Sequence, residues 1–381
     1  MNDQHAYRRN PNLLLEWGGD ARSDEWAPAL FDARRGVTHS WPCPPDGVSL
    51  RLQVLARLGR PGTAETLRAH WPEAPPLSYL RDVLAELADA GTIEPCVDPC
   101  PPQDLPRSGL GSCSPHQLAA HHEACMVPPD VGALPGPSPP ARLCHAEATA
   151  VTALPDALGP ASEPLSAVVE KRRSVRSFHK RPVPLLLLAA LLGRAARVRG
   201  FLPPLEHQQT QRPSPSGGGR HSLEIYVLAR AVDGLPAGAH HYDPFDHALE
   251  HLAPWDARLD ELTDRLITRP GRMDRTAPVS FYLTSYTART SWKYGRMALS
   301  LIYRDAGCLM QTLCLTATDL GLAACPIGAI DAPVTAPFLR DTDEELMHVG
   351  GFALGLPAGG PPPADLLTPA RGGSHQHTQP H

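Results

Sequence analysis

RPSPSGGGRHSLEIYVLARAV, residues 212–232, holds in order a Pro/Ser turn, three consecutive glycines and an alternating apolar run. Leu223, Ile225, Val227 and Ala229 alternate with Glu224, Tyr226 and Leu228, which is the pattern of a largely buried strand. Gly217, Gly218 and Gly219 carry no Cβ, so backbone there can approach a flat molecule and hydrogen-bond its edge. On its own a glycine triplet before a strand is a turn. Its meaning comes from its partners elsewhere in the chain.

The nearest partner is upstream. EKRRSVRSF, residues 170–178, sets Arg172, Arg173, Ser174 and Arg176 within five positions, after the amphipathic run 165–169. Guanidinium forks suit phosphate oxygens, and a neighbouring hydroxyl adds a donor. The plain alternative is a solvated basic helix end complementing the helix dipole.

Further out, composition bounds the problem. A chain of 381 residues suggests two domains, and 42% hydrophobic residues suffice for a normal core. Its 44 prolines imply long irregular connections. A net charge of −5 disfavours a general nucleic-acid binder. MNDQHAYRRNPN lacks an apolar signal core, and the longest apolar run, 184–192, is too short to span a bilayer. The reading is a cytoplasmic protein with no membrane segment. Nine cysteines include no CxxC pair, and their odd number fits free thiols. Cys96 and Cys100, with His116, His121 and His122 nearby, are too irregularly spaced for a zinc site.

In chain order, residues 48–58 read as a helix stopped by Gly59-Arg60-Pro61-Gly62. Thr63 caps a second helix, and residues 77–88 form a third with Leu80, Val83, Leu84 and Leu87 on one face. A strand begins at Thr92. Three helices and a strand make residues 1–95 winged-helix-like. The acidic outer face of the third helix lacks the Lys and Arg that phosphates require, which favours peptide docking or a structural role. Residues 96–160 read as a Pro-rich linker with one short helix at 115–125, residues 161–360 as the catalytic domain, and 361–381 as a disordered tail. Within the catalytic domain the order of elements is mixed, which gives α+β rather than a doubly wound parallel sheet.

RRSVRSF, PSGGGRHSLEIYV and then GLPAGAHHYDP together resemble the FMN-dependent nitroreductase superfamily, over residues 160–357. More narrowly, the chain is similar to SagB-type dehydrogenases, which oxidise azoline rings to azoles in ribosomally made peptides. The resemblance implies a homodimer with FMN across its interface and a mixed sheet flanked by helices. It implies Arg172, Arg173 and Ser174 at the phosphate and Arg176 near the pyrimidine edge. Pro215, Ser216, Gly217 and Gly219 would lie beneath the isoalloxazine, and Cys325-Pro326-Ile327-Gly328 over its other edge near N5. The chemistry agrees, because a redox-active ring wants fixed backbone donors and its phosphate wants cations. Two positions depart from the pattern. Gly219 stands where many relatives have Asn, and after Leu356 the only basic residue is Arg371, so Arg289 or Arg296 would have to complete the phosphate grip.

SWKYGR, residues 291–296, supplies Lys293 and Tyr294, matching the Lys-Tyr pair through which SagB-type enzymes remove a proton. Free Lys and Tyr both titrate near ~10. An ammonium beside the phenol would favour tyrosinate, and burial would favour neutral amine. The functional expectation is dehydrogenation of thiazoline or oxazoline rings in a precursor peptide, with a cyclodehydratase as a possible partner. The alternatives are a generic NAD(P)H-dependent nitro or quinone reductase, a flavoenzyme acting on another peptide residue, and a cofactor-free docking partner.

Overall fold

The computed structural model describes residues 6–18, 27–39, 45–96, 113–125, 136–156, 162–203, 207–339 and 346–359. The chain divides into two compact units, Met1–Pro129 and Asp130–His381. Among the described residues no helix is long and apolar enough to cross a membrane. The low-complexity tail, with Arg371, lies outside the described residues.

The first unit opens with β1 (Ala6–Arg9), followed by the meander β2 (Leu13–Gly18), β3 (Ala27–Asp32) and β4 (Val37–His39). Helices α1 (Pro45–Arg57), α2 (Ala64–Ala69) and α3 (Leu77–Asp89) follow, then β5 (Ile93–Cys96) and α4 (Pro115–Cys125). Thr63 caps α2 as expected, and Thr66 returns the bond to complete a capping box. Leu80, Val83, Leu84 and Leu87 form the buried stripe of α3 and pack with Val54, Leu58, Leu67 and Trp71. The strand after α3 pairs antiparallel with β1, Ala6 opposite Cys96, so both ends of this segment meet in one ladder. Cys96 is disulfide-bonded, so not every cysteine is the free thiol that the odd count suggested.

The second unit contains β6 (Ala150–Ala153), α5 (Leu165–Lys171), β7 (Val183–Pro184), α6 (Leu185–Ala195), β8 (Gly200–Phe201) and β9 (Thr210–Gln211). It continues through β10 (Leu223–Ala229), β11 (Val232–Asp233), β12 (Gly238–Asp243), β13 (Ala248–Pro254) and α7 (Ala257–Thr263). The last elements are β14 (Val279–Tyr286), α8 (Ala288–Tyr294), α9 (Ala298–Asp319), β15 (Ala323–Ile327) and β16 (Leu346–Gly355). Seven strands form one sheet in the order β15-β16-β14-β10-β12-β13-β6, each antiparallel to its neighbours. The small β7–β11 pair is parallel, so strand pairing across the unit is mixed. This is the expected α+β fold.

Central strand β10 is buried on both faces. Ile225, Val227 and Ala229 pack with α6 and α9, while Tyr226 and Leu228 face the cluster of Leu259, Leu266 and Phe338. The period-2 alternation therefore sorted side chains between two apolar layers. Helix α9 buries Leu309, Leu313 and Ala317 on the expected face and ends at Gly321, φ +69°.

Of the segment read as linker, 96–160, the described residues include 113–125 and 136–156. Residues 136–156 belong to the second unit, and β6 forms the sheet edge against β13. Prolines hid this, because they suppress local periodicity while leaving carbonyls free to bond across the fold.

Two leucines of one apolar run test the packing. Leu188 is 0% exposed in α6 and Leu186 is 49% exposed. Leu188→Ala should cost about 2–5 kcal/mol in denaturant unfolding, and Leu186→Ala less than about 0.5 kcal/mol. Equal costs would mean that α6 does not face the sheet this way.

Candidate active site

Helix α5 ends at Arg172, whose ψ of 123° turns the chain into extended backbone. That segment docks on the sheet edge, with the Val175 amide donating to the Ala324 carbonyl at 2.8 Å. Arg173, Ser174 and Arg176 line a cavity of about 830 Å³, together with Thr318, Gly321 and the backbone at 357–359. Arg173 and Arg176 are exposed and Arg172 is half-buried. Burial pushes the Cys325 thiol up, against the Arg176 charge and a Ser174 side-chain hydrogen bond. The structure therefore brings residues 172–176 together with Cys325, Pro326 and Ile327 of β15. Gly328 follows directly, and a Cβ there would meet nothing within 4 Å.

The glycine loop belongs to a second group. Gly217–Gly219 form one tight turn with φ of +59° at Gly218 and +62° at Gly219, conformations that favour glycine. A Cβ at Gly218 would sit 2.5 Å from the Tyr294 hydroxyl, and one at Gly217 would sit 3.2 Å from Leu301. Asp305 of α9, 6% exposed, accepts from Ser216 Oγ at 2.5 Å and from the Gly217 amide at 3.2 Å. Ser216 Oγ in turn accepts from the His221 amide at 2.9 Å. Burial raises the Asp305 carboxyl, and those two bonds oppose the rise. Pro215 stands exposed at the entrance of the loop.

Lys293 and Tyr294 sit half-buried at the end of α8, Lys293 Nζ 5.6 Å from the Tyr294 ring centroid. Burial raises the Tyr294 phenol, the Asp305 charge adds to the rise, and only Arg220 opposes it. The sequence left open whether a tyrosinate or a neutral amine is the base; burial and the Asp305 charge disfavour tyrosinate. The motifs thus fall into two groups, 172–176 with 325–328 and 215–219 with 293–294. β15 lies three places from β10 in the sheet, or roughly 14 Å at ~4.8 Å per strand.

Arg289 corrects an expectation. It is 0% exposed, and it donates to Glu224 at 2.5 Å and to the carbonyls of His221 and Pro140. Such a guanidinium cannot face a ligand phosphate. Arg296 is exposed in the turn after α8.

Sequence reasoning missed the polar core behind the loop. Burial pushes Glu224 upward, but Arg289 and His241 more than offset it and hold the carboxyl at about 2. His241 bonds Glu224 at 3.0 Å through one ring nitrogen and Glu250 at 2.7 Å through the other. Burial alone would lower its pKa, yet the two carboxylates raise it to about 9. Asp305 was findable, being a charge on the core stripe of α9 beside Ile302, Ala306 and Leu309.

Residues 169–356 match the model of the Nitroreductase family. The chain is 30% identical over 171 residues to "Putative nitroreductase MJ1384" of Methanocaldococcus jannaschii, covering 43% of this chain and 78% of that protein. Among solved structures it is similar to the E. coli microcin synthetase McbBCD complex with truncated pro-MccB17 bound, at 21% identity and a TM-score of 0.40, over 49% of this chain and 68% of that one. It is also similar to a nitroreductase with bound FMN from Bacteroides fragilis, at 18% identity and a TM-score of 0.33, over 58% of this chain and all of that one.

The clamped imidazolium predicts a pH signature. Its folded pKa of about 9 lies above the ordinary 6.5, so its contribution to stability is complete below pH 6.5 and is lost as pH rises through 9. The unfolding midpoint should fall across that window. His241→Gln should lower the midpoint at pH 6.5 and flatten the slope, and an unchanged slope would contradict the double-carboxylate clamp.

Proposed function

This chain belongs to the nitroreductase family, and from that premise we propose that it is an FMN-dependent azoline dehydrogenase of SagB type. It aromatises thiazoline or oxazoline rings in a precursor peptide, in the cytoplasm and alongside a cyclodehydratase. The observation that carries this reading is the seating of Tyr294 on the glycine loop, its hydroxyl against Gly218 and Lys293 beside its ring.

FMN is the cofactor, and the residues present fit it. Arg172, Arg173 and Ser174 would hold the phosphate, with Arg176 beside them, at a cavity large enough for a nucleotide. Pro215, Ser216, Gly217 and Gly219 would support the ring from one side, and Pro326, Ile327 and Gly328 would edge it. Bound FMN supplies the hydride acceptor. Dehydrogenation removes a hydride and a proton from adjacent ring carbons, and the proton passes to the Lys293–Tyr294 pair acting as a unit. With Lys293 as the free amine, the pair takes that proton either at the amine itself or at the Tyr294 oxygen while the phenol proton passes to the amine. Asp305 keeps Ser216 and the Gly217 amide turned inward, and Gln209 Nε2 donates to the Gly218 carbonyl at 2.7 Å, so the loop is held from both sides.

Because the two groups of motifs lie apart within one subunit, the site is shared by two copies. Leu299 and Tyr303, 43% and 42% exposed, lie on one face of α9 with Gly307. A Cβ at Gly307 would meet nothing within 4 Å. Glycine inside a helix costs about 1 kcal/mol relative to Ala, a cost offset where a second copy approaches closely. The first unit, winged-helix-like with its own core, docks the leader of the peptide.

Purified protein should be yellow, dimeric and carry about one FMN per subunit. Arg172→Ala with Arg173→Ala should lose most of it, since each charged phosphate contact contributes about 1.5–3 kcal/mol. A colourless monomer that stays colourless in FMN would defeat the reading. Lys293→Ala and Tyr294→Phe should each lose about 10²–10⁴ in azoline oxidation while keeping the flavin spectrum. The double variant should lose much less than the product of the two. Full azole formation by the double variant would place the base elsewhere, and turnover of nitro compounds alone would favour a generic reductase.

A further inference from the structure

Helix α8 has seven residues, too few to be stable on its own, so its position depends on what grips it. Two donors of α8 and one of the neighbouring Arg220 meet backbone carbonyls of the Pro-rich segment at 136–140. Trp292 Nε1 donates to the Gly136 carbonyl at 3.2 Å, and Arg289 Nε donates to the Pro140 carbonyl at 2.7 Å. Arg220, 1% exposed, bridges the two partners: its Nε donates to the Arg289 carbonyl of α8 at 2.6 Å and its Nη2 to the Pro139 carbonyl at 3.2 Å. Its guanidinium also stands 5.7 Å from the Trp292 ring centroid.

The composition of the segment explains why it serves. Pro139 and Pro140 have no amide to donate and force extended backbone before them, which leaves their carbonyls to outside donors; Arg220 and Arg289 meet them, and the Pro139 carbonyl also accepts from Ser138 Oγ at 3.2 Å. Arg220 Nη1 and Arg289 Nη2 have no hydrogen-bond partner among the described residues, which makes the acceptors provided by the segment costly to lose. Beyond it, Arg142 pairs with Asp243 and Asp246, and His145 Nε2 lies 3.1 Å from the Tyr226 hydroxyl. The segment is thus a strap fixed at both α8 and the sheet.

We propose that this strap, gripped by Arg220, Arg289 and Trp292, is a positioning element that sets the placement of Lys293 and Tyr294 at the end of α8. The role of that pair rests on the function proposed above; the mechanical claim about α8 does not. Arg220, Arg289 and Trp292 are positioning residues that act through backbone.

The test uses the full chain and reads amide hydrogen exchange in the flavin-free protein. Arg220→Met should speed exchange at 288–294 by about 10-fold or more, leaving 223–229 and 279–286 at wild-type rates. Trp292→Phe keeps a ring and removes one neutral donor, so it should speed the same amides about 2- to 10-fold, and it supplies the answer if the arginine variant does not fold. Arg220→Lys should recover part of the protection. With FMN bound, the arginine variant should lose kcat on an azoline peptide at unchanged KM and flavin content. Wild-type exchange at 288–294, or equal acceleration in all three segments, would overturn the proposal. So would unchanged kcat despite a loosened α8. If the wild type oxidises no azoline, the proposed function fails, while the exchange result still judges the strap.

Discussion

A buried ion pair joins the second unit's central strand to a seven-residue helix: Arg289 of α8 and Glu224 of β10, 2.5 Å apart. Taking both charges out of water costs several kcal/mol per ion and is tolerated only with further hydrogen bonds. Those bonds come from other parts of the chain. Arg289 draws on the carbonyls of His221 and Pro140, and Glu224 draws on His241 of β12, which is itself held by Glu250 of β13. Removing one partner of such a pair typically costs about 3–5 kcal/mol, because the other charge stays buried. One contact therefore obliges three strands, a helix and the Pro-rich strap to meet at a single place.

The glycine loop takes its shape from the same region. It leaves β9, turns through Gly217–Gly219 and enters β10 immediately before Glu224, so its far end is fixed by the ion pair. Its near end is fixed by Asp305, which occupies the Ser216 hydroxyl and the Gly217 amide. Between these anchors the left-handed residues Gly218 and Gly219 are pressed against Tyr294 and Gln209. A side chain at Gly218 would displace the Tyr294 hydroxyl. The glycines here serve close packing of a phenol as well as turning.

The basic motif obeys a different constraint. Extended backbone after α5 completes the sheet edge through Val175 and Ala324, which leaves the Arg173 and Arg176 side chains at the cavity mouth. Their charge is free of the buried network at β10, since the antiparallel order sets β15 and β10 three places apart. Two electrostatic centres with opposite demands coexist: one dry and internally neutralised, the other open and cationic.

What the sequence determined by itself was local. Alternation in 223–229 gave the central strand, the i, i+3, i+4 and i+7 leucines gave α3, and Thr63 marked the start of α2, because each signal is spent on neighbours within a few residues. The arginine cluster and the glycine triplet were legible for the same reason. Tertiary structure alone decided the rest. The exposed edge strand β6, AVTA, carries too little burial to leave a pattern, and α8 is helical because Arg289, Thr290 and Trp292 are buried by partners far along the chain. Nothing local marks Arg289 as a buried ion-pair partner rather than a phosphate ligand, or Tyr294 as a neutral phenol. A charge takes its protonation and its partner from whatever the fold packs around it, and for these residues those neighbours lie 65 or more positions away, or, for Asp305 and Tyr294, in the next helix.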